Sequence, residues 1–263
     1  MARIDPNAFP LIDRLLKCQW SPQQISKRLE RDYGTSICHE SIYQYILKDR
    51  RKGGTLYLHL RRKHKKYQRR MGNANCRGQI KDRRSIDTRP ASVDTRAQVG
   101  HWEGDTVIGT QKKGKVIVTL VERRSRLLVA RLAPAKSAKE VAACILDGLN
   151  EIAPTVKTIT FDNGKEFANH QEIADKLKCD VYFAHPYHSW ERGTNENTNG
   201  LLRQYFPKGQ SLEETTEEQL QRVVGLINNR PRRVLGYETP LEVFNRALNY
   251  QQRKLQSQNL TPV

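Results

Sequence analysis

Long apolar runs are what this chain lacks first. No stretch approaches the roughly 18 apolar residues that a membrane-spanning helix needs. The opening Met1-Ala2-Arg3-Ile4-Asp5-Pro6 has none of the apolar core of a secretory signal, so the expected setting is cytoplasmic. Cysteine is sparse and scattered. Cys18, Cys38, Cys76, Cys144 and Cys179 are odd in number and contain no close pair, which argues against a disulfide framework and against a zinc ribbon. Cys38-His39 has no partner pair at finger spacing and reads as structural. Apolar residues make up only 37% of 263, enough for one sizeable domain plus a smaller module but lean enough that some segments must be solvated. Acid is short as well: 28 Asp and Glu against 46 Lys and Arg leave a net charge of +18. Such an excess calls for a polyanionic partner, nucleic acid before others.

The positive charge is concentrated. Residues 48–84 hold fifteen Lys or Arg against Asp49 and Asp82, a net of +13 in 37 positions. Apolar residues are sparse after Leu60, so the segment reads as an arm that orders on a phosphate backbone. Arg61, Arg62, Lys63, Lys65, Lys66, Arg69 and Arg70 are its expected DNA contacts. Before it, Phe9, Leu11, Ile12, Leu15 and Leu16 recur at helical spacing. Ser21-Pro22-Gln23-Gln24 offers a cap, a proline at the first helical position and a residue to close a capping box. A helix over 22–31, a turn through Tyr33-Gly34 and a helix over 39–47 form a helix-turn-helix pattern. His39, Glu40 and Gln44 would be the reading positions of its second helix.

From Gly100 the texture alternates. Strands are expected over 101–109, 115–121 and 127–132, then a helix over 137–150 opened by the capping box of Ser137 and Glu140. A strand over 156–161, a helix over 166–178, a strand over 181–183 and a helix from about Glu196 follow, with another amphipathic helix over 213–228. The order β-β-β-α-β-α-β-α implies an α/β fold, a mixed sheet with helices on its faces.

Three acids draw interest. Asp105 lies inside the first strand, where Asp is depleted. Asp162 ends the fourth strand, although Asp162-Asn163-Gly164 is also ordinary turn chemistry. Glu196 opens a helix, where an acid also suits the helix dipole. In a sheet of this order the first and fourth strands can be neighbours, so the two aspartates can project side by side and the last helix can bring Glu196 to them. An oxygen-rich carboxylate site suits Mg²⁺ or Mn²⁺ rather than zinc. Two such ions would serve phosphodiester chemistry. Gly109-Thr-Gln-Lys-Lys-Gly114-Lys115 fits most of a phosphate-binding loop, but Val116 replaces the Ser or Thr and a strand follows, so it reads as a basic hairpin turn.

The run Asp162-Asn-Gly-Lys-Glu-Phe167, then Tyr182-Phe-Ala-His-Pro-Tyr187, then the block Ser189-Trp-Glu-Arg-Gly-Thr-Asn-Glu196 through Lys208 closely resembles the insertion-sequence-thirty family of DDE transposases. The 33 residues between Asp162 and Glu196 match that family's spacing of its second and third acids, and Gly100-His-Trp-Glu-Gly-Asp105 matches the segment carrying the first. Asn229-Arg-Pro-Arg-Arg-Val-Leu-Gly-Tyr-Glu-Thr-Pro240 matches its C-terminal motif. The resemblance implies a ribonuclease-H-like fold with a five-stranded sheet, two Mg²⁺ or Mn²⁺ ions on Asp105, Asp162 and Glu196, and strand cleavage and strand transfer at transposon ends. Its partners would be double-stranded end and target DNA, bound as a homo-oligomer in the bacterial nucleoid. Arg203, Lys208, Arg230, Arg232 and Arg233 join the expected DNA contacts. Glu191 departs from the pattern, standing where the resemblance leads one to expect Gln. The family also carries a further helix-turn-helix ahead of the one seen here, which makes a catalytically silent DNA-binding fragment the alternative reading. The expected organisation is a helix-turn-helix module over 1–50, a basic arm over 51–99, a catalytic domain over 100–250 and a polar tail over 251–263.

Overall fold

The computed structural model describes residues 6–61, 80–110, 114–186 and 188–259. Of the expected arm, Arg62, Lys63, Lys65, Lys66, Arg69 and Arg70 lie outside the described residues, and so do positions 111–113 at the tip of the basic hairpin. The chain divides into two compact units, one of residues 1–74 with 229–239 and one of residues 75–228 with 240–263.

The first unit is built on α1 (Phe9–Lys17), α2 (Pro22–Tyr33) and α3 (His39–Arg51). Ile12 and Leu16, Ile25 and Leu29, and Ile42 and Ile46 lie four residues apart in their helices and form its core with Ile37 and Leu56. The α2 capping box forms as the spacing requires: Ser21 Oγ accepts the Gln24 N–H, and Gln24 Oε1 accepts the Ser21 N–H at 2.8 Å. Gly34 ends α2 at φ 64°, a left-handed conformation that a Cβ would strain. Gln24 has a second role that spacing does not announce. Its Nε2 donates to the Pro231 carbonyl at 2.6 Å and its Oε1 accepts from Arg230 Nε at 3.2 Å. Arg31 meets Glu238 at 3.0 Å. The segment 229–239, expected as part of a continuous 100–250 stretch, therefore straps α2 inside this unit. Gln24→Ala removes both the cap partner and the strap's anchor. A loss of about 1–2 kcal/mol from the helical unit is expected in chemical denaturation.

The second unit holds one five-stranded sheet in the order β3-β2-β1-β4-β5. β1 (His101–Ile108), β2 (Val116–Glu122) and β3 (Leu128–Ala133) form an antiparallel meander, and β4 (Thr158–Phe161) and β5 (Asp180–Phe183) add in parallel to β1. β2 is buried along its whole length because helices cover both faces. Val116, Val118 and Leu120 point to one face, packing with α4 (Ala138–Leu149), α5 (His170–Leu177) and α8 (Pro240–Asn259). Ile117 and Val121 point to the other, packing with α6 (Gly193–Leu202) and α7 (Glu217–Asn228). This is the mixed sheet with flanking helices that the element order called for. Several boundaries differ from expectation, and α7 starts at Glu217 rather than at Glu213. Lys165–Phe167 forms a separate 3-10 turn, so α5 starts at His170. α6 starts at Gly193, one turn before Glu196. α8 runs to Asn259 through the expected tail, whose Gln, Arg, Lys and Leu are good helix formers. Among the described residues no helix is long and apolar enough to cross a membrane.

His101 sits buried at the start of β1, its Nδ1 2.9 Å from Thr158 Oγ1, and burial pushes its pKa down to about 4. Because the folded value lies below the ordinary 6.5, the unfolded chain takes up this proton first as pH falls. The contribution is whole above pH 6.5 and is lost toward pH 4, with an upper bound of about 3–4 kcal/mol at 1.36 kcal/mol per unit. His101→Gln is expected to flatten the denaturation-versus-pH curve in that window. An unchanged slope would show that another group sets it.

Candidate active site

The parallel register places the first two acids. His101 pairs with Thr158, Trp102 with Ile159 and Glu103 with Thr160. Carried two residues beyond the ladder, the same register sets Asp105 level with Asp162. Gly104 is required by this close approach, since a Cβ there would overlap the Phe161 ring of β4. Asp105 Oδ1 accepts the Thr106 N–H at 2.8 Å and its Oδ2 accepts Asn199 Nδ2 at 3.0 Å. Asp162 Oδ1 accepts the Gly164 N–H at 2.9 Å. The Arg192 guanidinium lies 3.9 Å from Asp105 and 3.5 Å from Asp162, and donates to the Gly104 carbonyl at 3.2 Å. Burial is the largest influence on Asp105 and raises its pKa; Arg192 opposes that rise, and the Asp162 and Glu166 charges add to it.

Glu196 is exposed and lies in the first turn of α6, three residues before Asn199, so both occupy one helix face. Asn199 donates to Asp105, so the side of α6 that carries Asn199 meets β1 at the first acid. The helix is fastened from below by a buried network. Glu103 is fully buried on β1, and its Oε2 accepts the Asn195 N–H at 2.9 Å while its backbone oxygen accepts Asn195 Nδ2 at 3.1 Å. Glu103 Oε1 in turn pairs with buried Arg123 at 2.9 Å. Arg126 donates to Thr194 Oγ1 at 2.6 Å. On the other side of Asp105, Thr106 Oγ1 donates to Glu166, which also pairs with Lys136 at 2.8 Å.

Arg192, Asn199, Glu103, Arg123 and Glu166 escaped the sequence reading. Glu103 carried a signal of the kind that singled out Asp105, an acid inside a strand. Asn199 carried one too, three residues from Glu196 on the same helix.

The expected DNA contacts divide by burial. Glu40, Gln44, Arg61, Lys208 and Arg233 are exposed, and His39 is partly so, 3.4 Å from Glu40. Arg203 is partly buried and its guanidinium is taken up by backbone, donating to the carbonyl of Ile108 at 2.9 Å. Arg230 and Arg232 are buried rather than open to phosphate; the strap uses Arg230 to hold Gln24.

The integrase core domain model matches residues 96–189. The transposase for insertion sequence element IS4351 of Bacteroides fragilis is 44% identical over 238 residues, spanning 90% of this chain and 73% of that protein. The transposase for insertion sequence element IS1086 of Cupriavidus metallidurans is 37% identical over 257 residues, spanning 94% and 76%. Transposase InsI for insertion sequence element IS30C of Escherichia coli K12 is 38% identical over 248 residues, spanning 90% and 64%. The chain belongs to the insertion-sequence-thirty family of DDE transposases, enzymes that act on DNA and depend on divalent metal.

Proposed function

We propose that Asp105, Asp162 and Glu196 hold two divalent ions, Mg²⁺ or Mn²⁺, and that the chain cleaves transposon ends and joins them to target DNA. The observation that carries this reading is the cation already drawn between the two aspartates. The Arg192 guanidinium lies within 4 Å of both carboxylates. Such a pair is costly without positive charge beside it, and its all-oxygen donor set fits hard ions. When bound, the ions supply a lowered water pKa and charge stabilisation for the leaving oxygen of the phosphodiester.

The chain's own residues do the rest. Asn199 and the Thr106 N–H orient Asp105, and the Gly164 N–H orients Asp162. Glu103 holds the first turn of α6 against β1 and so fixes where Glu196 projects. Water is the nucleophile of the cleavage step that frees a 3′ hydroxyl, and that hydroxyl attacks target DNA in the joining step. Two ends must be joined together, which calls for a homo-oligomer on the DNA within the nucleoid. Product formation on a transposon-end duplex with Mn²⁺ tests the reading; binding without any cleavage would favour the silent DNA-binding alternative.

His39, Glu40 and Gln44 contribute base reading from α3, while Arg61 and the basic residues that follow meet phosphates, which carry no direct sequence information. Each phosphate contact contributes about −0.9 to the slope of log affinity against log salt, so about five contacts give a slope of roughly −4 to −5. Replacing Arg61, Arg62, Lys63, Lys65 and Lys66 by Ala is expected to bring the slope toward zero for end and random duplex alike. A slope those changes leave unaltered would exclude the arm from binding.

A further inference from the structure

Between β5 and α6 the chain turns through His185, Pro186 and His188 into a 3-10 turn over Ser189–Arg192. The turn folds Glu191 back onto both histidines. Glu191 Oε1 lies 2.8 Å from His185 Nδ1 and 3.1 Å from His188 Nδ1, and its Oε2 accepts the His185 N–H at 2.9 Å. Among the described residues this is the one trio of His, Cys, Asp or Glu whose ligand atoms all lie within 4.8 Å of one another. The acids Asp105, Asp162 and Glu196 are held wider apart.

A second carboxylate completes the arrangement. The far nitrogen of His185, Nε2, lies 2.9 Å from Asp87 Oδ2, and Asp87 is itself held by Ser85 Oγ at 2.7 Å. A proton on Nε2 donated to Asp87 leaves the Nδ1 lone pair of neutral His185 facing a carboxylate oxygen. Nδ1 and Glu191 Oε1 at 2.8 Å are held together either by a proton on that nitrogen or by a cation that both ligate. A carboxylate that orients an imidazole whose other nitrogen faces the ligand position is also the usual support of a metal-bound histidine.

We propose that His185 Nδ1, His188 Nδ1 and Glu191 form a site for one imidazole-preferring divalent ion, of which Zn²⁺ is the representative, with Asp87 orienting His185. Two imidazoles and one carboxylate are a donor set that suits zinc and leaves a fourth position open to water. The side chains are 36%, 43% and 18% exposed, so the open side faces solvent. Metal–ligand bonds of about 2.0–2.2 Å in tetrahedral geometry put ligand atoms roughly 3.3 Å apart. The two nitrogen-to-carboxylate separations, 2.8 and 3.1 Å, need only a few tenths of an ångström of opening, and all three ligand atoms already lie within 4.8 Å of one another. The ion would staple the connection that leads directly into Arg192 and Glu196, and so order the approach of α6 to the aspartates. This site does not depend on the proposed role of the three acids, and its test is read without cleavage.

The full chain is stripped with chelator, loaded with Zn²⁺ and passed through gel filtration, and its metal content is measured. The same measurement is made in an Asp105→Asn/Asp162→Asn background to silence the other carboxylates. One equivalent retained in both is expected. The Co²⁺-loaded chain should show the visible absorption of a tetrahedral site. Glu191→Gln preserves the shape and supplies the residue that the family resemblance leads one to expect, and it should abolish retention. His188→Ala should do the same. Asp87→Asn should weaken binding about 10- to 100-fold. Zinc retained equally by the Glu191→Gln and His188→Ala chains would place the ion elsewhere, at cysteines for instance, and overturn the proposal. Failure of the unaltered chain to retain any zinc would overturn it as well. Should His188→Ala not fold, Glu191→Gln and the absorption spectrum carry the decision alone.

Discussion

Asp105→Asn, Asp162→Asn and Glu196→Gln are each expected to lower end cleavage by about a thousand-fold or more. Each change removes one negative ligand, and metal stabilisation of the transition state is worth several kcal/mol at 1.36 kcal/mol per tenfold. The three losses should be far from additive, because acids that share ions act as a unit. DNA binding should survive or tighten, since like-charge repulsion toward phosphate falls. The amide at position 105 can still accept the Thr106 N–H that the acid accepts now. A folding defect is therefore not the expected cause of the loss, and unchanged denaturation midpoints should accompany the inactive variants. Turnover retained in any one of them would remove that residue from the metal site.

The second large effect lies beneath the acids. Glu103 is fully buried, and its partner Arg123 is 4% exposed. Removing one member of such a pair leaves an uncompensated buried charge and typically costs 3–5 kcal/mol. Glu103→Ala is expected to cost about that much, a large share of the roughly 5–15 kcal/mol that holds a domain folded. Asp94 offsets part of it, lying 2.9 Å from Arg123 on the exposed side. Glu103→Gln separates stability from positioning. The amide keeps the side chain's volume but has one acceptor oxygen for two donors, Arg123 and the Asn195 N–H. The α6 anchor or the arginine must therefore go unsatisfied. Turnover should fall while the KM for DNA holds, since Glu103 is fully buried beneath the surface that would meet DNA. Equal losses of stability in both variants with turnover intact would reduce Glu103 to a packing role.

The sheet was legible because its strands obey simple periods. β2 reads Val-Ile-Val-Thr-Leu-Val-Glu and is buried throughout, and Ser137 with Glu140 marks the start of α4. The neighbouring of Asp105 and Asp162 was also legible, since strand order constrains which ends can meet. What supports them was not. Glu103 reaches Arg123 and Asn195 across 20 and 92 residues of sequence, and no local pattern encodes such pairings. By its position the C-terminal motif continues the catalytic stretch, yet its backbone and Arg230 fasten α2. Lysine and arginine in a motif suggest phosphate contacts from composition alone. Only the packing shows that Arg230 and Arg232 face inward while Arg233 faces out. The start of α6 moved for a local reason. The preceding 3-10 turn over 189–192 delivers a helix-competent chain at Gly193, before the acid that dipole reasoning favoured as the opening residue.

Asp105, Asp162 and Glu196 are expected to bind two divalent ions together. Counting Mn²⁺ by electron paramagnetic resonance on the complex with an end duplex tests it most directly. The unaltered chain is compared with the Asp105→Asn/Asp162→Asn/Glu196→Gln chain, so that ions bound elsewhere cancel in the difference. A difference of two ions per chain is the expected result, and identical Mn²⁺ counts would contradict it.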